Sequence, residues 1–265
     1  MSSEIETFLD ISSSRRMQRF LDSARNDEAQ QARRALFAHL TIYHEERPHP
    51  AAINMAIDEA LLETVVVPTI RFYRWQSPAL SFGYFGKFSN VAIYAPERDL
   101  IRRWTGGGIV FHKDDLTYSI VIPANDPVFE ESSMVLYERI HRALCGALAG
   151  IGQNAEVVGS ACCADSRKLS GQRGIPTCNC FANPVRADVM LDDRKIAGAA
   201  QRRTRRGLLQ QGSIQGIDIK TDLAQKFAQA MSANCSESVV REEILQRAGE
   251  LAREKYGSDS WLKKR

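Results

Sequence analysis

Three consecutive glycines, Gly106, Gly107 and Gly108, stand between two strand-like runs in LIRRWTGGGIVFH, and no other feature constrains the fold of this chain as much. Glycine loses more backbone freedom on folding than any other residue, so three in a row are costly unless the chain turns sharply there or something approaches its backbone. Bare N–H groups in such a loop can hold a phosphate or carboxylate, and Arg102 and Arg103 just before it add fixed cationic donors. The spacing is neither that of a P-loop nor that of a dinucleotide fingerprint. A plain hairpin without a ligand is the alternative.

Around this loop the apolar periodicity alternates between two and 3.6 residues. LTIYHEE reads as a strand. The turn RPHPA then leads into AINMAIDEALLETV, an amphipathic helix with Ile53, Ile57, Ala60 and Leu61 on one face and Asp58 and Glu59 beside it. IRFYRW and ALSFGYF are β-rich runs divided by Gln76-Ser77-Pro78. LTYSIVIPA follows the glycine loop, residues 134–150 form a helix, and ADVMLDDRKIAGAAQ reads as two strands about a tight acidic turn. Residues 222–256 read as helical and charged. Irregular alternation of strands and helices predicts one α/β (α+β) domain on a mixed sheet. Residues 1–39 are Gln/Ala/Arg-rich, with helical spacing at Phe20, Leu21 and Ala24 and again at Leu36, Phe37 and Leu40. They are assigned to an N-terminal helical extension ahead of a catalytic domain over 40–265.

The charges exclude some functions. With 35 Lys+Arg against 32 Asp+Glu, the net charge of +3 is too small to make the whole surface a nucleic-acid binder. Arg202, Arg203, Arg205 and Arg206 form a local basic run, either a solvated loop or a face for an acidic partner. No run approaches the roughly 18 apolar residues of a membrane span, and MSSEIETFLD lacks the layout of a signal peptide, so a cytoplasmic protein with no membrane partner is expected. In that compartment six cysteines do not indicate a disulfide framework.

Each thiol is then core filler, metal ligand or nucleophile. Cys145 falls on an apolar helical face and Cys235 in a polar segment, and both read as inert. Cys162, Cys163, Cys178 and Cys180 raise a zinc site, but CC followed by CxC lacks the CxxC pairs of structural zinc, and no metal is expected. Lys195 opens the small-residue run Ile196-Ala197-Gly198-Ala199-Ala200. Such residues let a ligand lie against the backbone while the ammonium reaches its carbonyl or phosphate. Lys168 in DSRKLSG is the rival to Lys195 in DDRKIAG, but no ADVML run precedes it and no AAQRR follows.

RRWTGGGIVFH, continued by DLTYSI, resembles the RRxxGGGxVxH signature of the lipoate-protein ligase and octanoyltransferase family, which is related to biotin ligases. NMAIDEALL before it, and KIAGAAQRR and GLLQQGSI after it, are similar to that family's other blocks in the same order. The resemblance implies a single biotin/lipoyl-ligase-like catalytic domain whose mixed, largely antiparallel sheet is flanked by helices. It implies that Arg103, Gly107, Gly108, Val110 and His112 wrap the acyl chain. With Arg102, Gly106, Gly198 and Ala199 these are the candidate substrate-binding residues. Lys195 corresponds to the lysine that binds the acyl carbonyl. CFANPVRADV resembles the acyl-accepting cysteine block of one octanoyltransferase branch, making Cys180, fifteen residues before Lys195, its catalytic partner.

The chemistry suits that pair. A free thiol has a pKa near ~8.5, and a neighbouring ammonium favours its thiolate. The thiolate can take an octanoyl group from acyl carrier protein and pass it to a lysine of an acceptor, without a cofactor. By resemblance the acceptors are the lipoyl domains of 2-oxoacid dehydrogenases or the glycine cleavage H protein. The competing reading is a lipoate-protein ligase using ATP and Mg2+, with Cys180 incidental. The 46 residues after Ile219 count against a self-sufficient ligase but permit one with a partner chain. A non-catalytic acyl-binding protein is a third reading, and biotin transfer a weaker enzymatic rival. Two positions depart from the family pattern: Lys113, then Asp114, stand where an acidic residue follows the loop histidine, and Gln211 where a histidine precedes Gly-Ser-Ile.

Overall fold

The computed structural model describes residues 35–45, 47–159, 184–219 and 222–264. Its strands are β1 (Leu40–His44), β2 (Thr69–Tyr73), β3 (Ala79–Phe82), β4 (Asp99–Arg102), β5 (Ile109–His112), β6 (Leu116–Pro123), β7 (Glu156–Val157), β8 (Val189–Leu191), β9 (Arg194–Arg203), β10 (Gly207–Ile214) and β11 (Cys235–Ser238). Its α-helices are α1 (Ala51–Thr64), α2 (Ser133–Ala149), α3 (Leu223–Met231), α4 (Glu242–Leu251) and α5 (Asp259–Leu262). One large sheet runs β11-β1-β2-β6-β10-β9-β8-β7, and β4-β3-β5 form a small one. In the large sheet β1 is parallel to β11 and β2, and the remaining pairs are antiparallel. This is the mixed, largely antiparallel sheet that the sequence predicts.

The period of two in β2, β6 and β10 divides the interior. Ile70 and Phe72 of β2, Tyr118, Ile120 and Ile122 of β6, and Leu208 and Ile214 of β10 pack with α2 and α3. The alternate residues face α1 and α4, and there Tyr73, Val121 and Leu209 join an apolar cluster. The same face carries polar rows across the strands: Arg71 opposite Ser119 opposite Gln211, and Tyr73 opposite Thr117 opposite Ser213. Helix α1 is therefore not amphipathic in the simple sense expected. It is buried nearly all round, with Asn54 and Asp58 at 0 % exposure, because its polar side chains meet the polar rows of the sheet.

The acidic turn is as tight as its sequence suggests. Leu191 pairs with Arg194, and Asp192 and Asp193 both have positive φ (48° and 59°), the backbone of a two-residue type I′ hairpin. Two expectations need correction. Residues 35–39 are not helical: Leu36 and Phe37 donate their N–H groups to the Met231 carbonyl and sink into the core, leading directly into β1. The segment 222–256 is not wholly helical, since Cys235–Ser238 forms edge strand β11 on β1. Pairing with an open sheet edge outweighs the weak strand preference of CSES.

Histidine 141 on α2 is wholly buried between the Tyr118 hydroxyl (3.0 Å) and the Ala187 carbonyl. Burial pushes its pKa down from 6.5 to about 4, despite the carbonyl partner. The unfolded chain binds a proton below about pH 6.5 that the folded chain refuses until about pH 4. The neutral ring's contribution is therefore intact above pH 6.5 and lost as pH falls toward 4, by roughly 3 kcal/mol. Denaturant unfolding of His141→Asn should lose about 2–3 kcal/mol less than the parent protein between pH 7 and 4.5. Equal losses in the two proteins would refute this.

Candidate active site

A cleft opens where the small sheet meets the polar rows of the large one, with about 480 Å3 of atom-free space, mouth included. One wall is β9. Val189 pairs with Ala197, but Met190 pairs with Lys195, so Ile196 is an extra, bulged residue. Ile196 and Ala197 both turn into the core beside α2. The bulge inverts the alternation and places Lys195 on the same side as Gly198. There Nζ pairs with the Asp188 carboxylate at 2.7 Å, with the two side chains 5 % and 0 % exposed.

Asp188 is itself held. Tyr137 Oη donates to Oδ1 and the Val185 N–H to Oδ2, each at 2.7 Å. The Tyr137 hydroxyl accepts from the Ala199 N–H at 2.9 Å, and burial, then Asp188, raises its pKa far above 10. The Ala199 amide therefore faces a tyrosine and is no oxyanion donor. Gly198 stands where a side chain would not fit. A Cβ there would lie 2.6 Å from Lys195 Cε and 2.7 Å from Nζ, so the space left by the missing side chain holds the lysine itself.

The facing wall is the glycine loop. Gly107 has φ +83°, the left-handed conformation that favours glycine, whereas a Cβ on Gly106 would meet nothing. Arg103 braces the loop: Nη2 donates to the Gly106 and Gly108 carbonyls (3.1 and 2.9 Å) and Nη1 to Ser81 Oγ (2.6 Å). Ser81 Oγ also lies 2.6 Å from His112 Nε2, and because the Asp115 carboxylate can only accept and so takes the Nδ1 proton, in the neutral ring Nε2 accepts and the Ser81 hydroxyl donates. His112 Nδ1–H then donates to Asp115 Oδ2 at 2.8 Å, and the ring stacks on Trp75 at 4.1 Å. Burial lowers the His112 pKa despite Asp115, consistent with this neutral tautomer. Burial works to raise the Asp115 carboxyl, but hydrogen bonds from His112, Ser213 and Thr117 hold it below the usual range.

The floor belongs to β10. Thr105 Oγ1 donates to Gln211 Oε1, and Gln211 Nε2 donates to Asp58 Oδ2, both at 2.7 Å. Gln211, expected as a histidine, thus supplies one acceptor and one donor and ties the glycine loop to the buried polar layer. Asp58 also accepts from Arg71 Nη1 (2.9 Å), Ser119 Oγ (2.6 Å) and Tyr73 Oη (3.0 Å).

Arg103, Gly107, Val110 and His112 line the cleft from one side, and Lys195, Gly198 and Ala199 from the other. Gly106 and Gly108 do not line it, and their carbonyls are held by Arg103. Arg102 is a correction: its donors meet the carbonyls of Tyr84, Gly86, Trp261, Leu262 and Lys264 outside the cleft. Adjacent residues at a strand end point opposite ways, so the doubled arginine divides into one loop brace and one tie for the 261–264 segment. Cys180, Lys168 and the cysteines considered for zinc lie outside the described residues. Among the described residues no group of three His, Cys, Asp or Glu could hold a metal. Lys113 and Asp114 are exposed, and Asp115 takes the acidic role beside His112.

Sequence reasoning missed Ser81, Asp115, Tyr137 and Asp188. Only Asp115, in the spacing His-x-x-Asp, left a local signal.

The fold and cleft together define a catalytic domain of the lipoate-protein ligase type. The chain belongs to the family described as the lipoyl protein ligase A/B catalytic domain, which matches residues 50–255. It is 37 % identical over 198 residues to octanoyltransferase LipM of Oceanobacillus iheyensis, covering 71 % of this chain and 69 % of that protein. Octanoyltransferase LipM of Macrococcus caseolyticus is 36 % identical over 185 residues, 66 % of this chain and 65 % of its own length. The chain thus spans about two thirds of these relatives. A lipoate protein ligase from T. acidophilum, solved with bound lipoic acid, superimposes with a TM-score of 0.65 at 20 % identity, over 86 % of this chain and 99 % of that one, a likeness of fold.

Proposed function

We propose that this chain is an acyltransferase that moves an octanoyl group from a carrier-protein thioester to the lysine amine of a lipoyl domain. One observation carries the reading. Lys195, swung across Gly198 by the bulge and clamped by Asp188, presents a fixed positive charge to the slot beneath the glycine loop. A charge fixed in advance stabilises a developing oxyanion without reorganisation. The octanoyltransferase relatives support acyl transfer as the reaction.

In the first step the Cys180 thiolate attacks the donor carbonyl and the pantetheine sulfur leaves as a thiolate that takes up a proton. In the second, the acceptor amine attacks the Cys180 thioester, giving the amide and returning the thiol. Neither step needs a nucleotide. A cytoplasmic setting fits, and no described helix is long and apolar enough to cross a membrane.

Incubation with octanoyl carrier protein should leave a hydroxylamine-labile octanoyl adduct on Cys180, seen by mass spectrometry and absent from Cys180→Ser. Lys195→Ala should slow transfer by about 10²–10³-fold. The decisive contrary result is transfer that requires ATP and lipoate, releases pyrophosphate and is unaffected by Cys180→Ser. The chain would then be a lipoate-protein ligase.

A further inference from the structure

Arg102 leads away from the cleft to a second feature. Its guanidinium, 1 % exposed, ties the backbone of the loop after β3 to the segment around α5. Nη1 reaches the Tyr84 and Gly86 carbonyls (2.8 and 2.6 Å), and Nη2 those of Leu262 and Lys264 (3.0 and 2.8 Å). Five backbone carbonyls on one buried cation make a stiff corner from two otherwise separate surface segments. Between them lies a hollow with about 1220 Å3 of atom-free space, open solvent included.

The hollow is cationic and aromatic. Lys87, Lys263 and Lys264 line it beside Tyr84, Phe85 and Phe88, and Phe85 is 85 % exposed. Lys264 Nζ donates to Tyr84 Oη at 2.8 Å, and Arg202 stacks over the same ring at 5.3 Å. Asp259 pairs with Lys263 at 2.8 Å, and among the described residues no carboxylate lies within 4.0 Å of the Lys87 or Lys264 ammonium. Lys264, reinforced by Arg202 and Lys255, holds the Tyr84 phenol below its usual pKa, so an anionic oxygen is favoured there. This corner also borders the cleft: the Tyr84 N–H donates to the Thr105 carbonyl, immediately before the glycine loop.

We propose that this hollow binds the phosphate of a pantetheine-borne acyl donor, with the arm passing over residues 83–86 and its thioester entering the cleft. The inference rests on the thioester-donor reading above and adds to it the part of the donor that is recognised. A phosphate is common to carrier-bound pantetheine and to acyl-coenzyme A, and the lysines meet that shared group. Each exposed lysine contributes little alone, so Lys87 and Lys264 act together with Lys263, whose charge Asp259 partly offsets, and added salt should weaken the contact.

The test compares three octanoyl thioesters, carried on carrier protein, on coenzyme A, and on pantetheine without phosphate. In the variant Lys87→Glu/Lys263→Glu/Lys264→Glu, KM for the two phosphate-bearing donors should rise about tenfold. KM for octanoyl-pantetheine should stay within about twofold, and kcat should be unchanged for all three. Reversal at the remote Lys226 controls for net charge. Calorimetry of phosphopantetheine against pantetheine reads the same contact without turnover, and the parent protein should bind the phosphorylated form more tightly, the variant both alike. An equal change for all three donors, a change for carrier protein alone, or equal binding of the two pantetheines overturns the proposal. Failure of the parent protein to use any thioester sinks the transferase reading instead, while the calorimetric comparison still decides the phosphate site.

Discussion

Gly198→Ala is expected to lower octanoyl transfer by about 10²–10³-fold, nearly as much as removing the Lys195 ammonium itself. The added methyl would lie 2.6 Å from Lys195 Cε and 3.1 Å from Asp188 Oδ1, closer than any Cβ is tolerated in the first case. The backbone of β9 is fixed by ladders on both sides, so the flexible lysine moves and the strand does not. Nζ then leaves Asp188 and the charge is displaced from the carbonyl position, where an error of about 1 Å is expected to cost roughly 10²-fold. Stability should fall by only about 1–3 kcal/mol, because Asp188 keeps its bonds from Tyr137 and Val185. Gly146→Ala, at an exposed helical position with open space, should leave activity unaltered and raise stability by roughly 0.5–1 kcal/mol. Steady-state kinetics and denaturant unfolding of the two variants make the comparison. Full activity in Gly198→Ala would show that the clamped lysine is not what transfer uses.

The second large effect is on the fold. Asp58, wholly buried, accepts hydrogen bonds from Arg71, Ser119, Tyr73 and Gln211. Asp58→Ala leaves four donors without their acceptor and a buried guanidinium with Glu45 as its remaining carboxylate partner. Breaking a buried pair from one side costs about 3–5 kcal/mol, which for a domain of this size lowers Tm by roughly 6–20 °C. The loss reaches the cleft as well, because Gln211 then holds Thr105 and the glycine loop less firmly. Calorimetric melting checks the first part and the KM for the acyl donor the second. A Tm drop under about 2 °C would mean that water replaces the carboxylate and that this polar layer is not a structural unit.

Both effects arise from residues whose importance is unevenly legible along the chain. Gly198 beside Lys195, and Gly107 within its loop, stand out because glycine in strand-like surroundings is costly without a reason. Asp58 reads from sequence as a charge beside an apolar stripe and turns out to be the centre of a buried network. A helix facing a polar row cannot be distinguished from one facing solvent until its partner strand is known. Arg102 and Arg103 show the same limit. As a pair they suggest two ligand donors, yet one faces the cleft and the other the opposite corner.

The sequence by itself determined the order and kind of most elements, because a period of two or 3.6 residues is a local property that burial on one face enforces. It also marked the glycine loop and Lys195 as special, through residue types that are unfavourable unless the backbone needs them. The tertiary structure alone decided which face Lys195 joins, since one bulged residue reverses the parity of a strand. It alone showed Asp188 facing the lysine across the bulged hairpin, and it alone brought Tyr137 to Asp188 from a helix some fifty residues away. Contacts of that range depend on how sheets and helices pack together, and no local pattern of side chains encodes them.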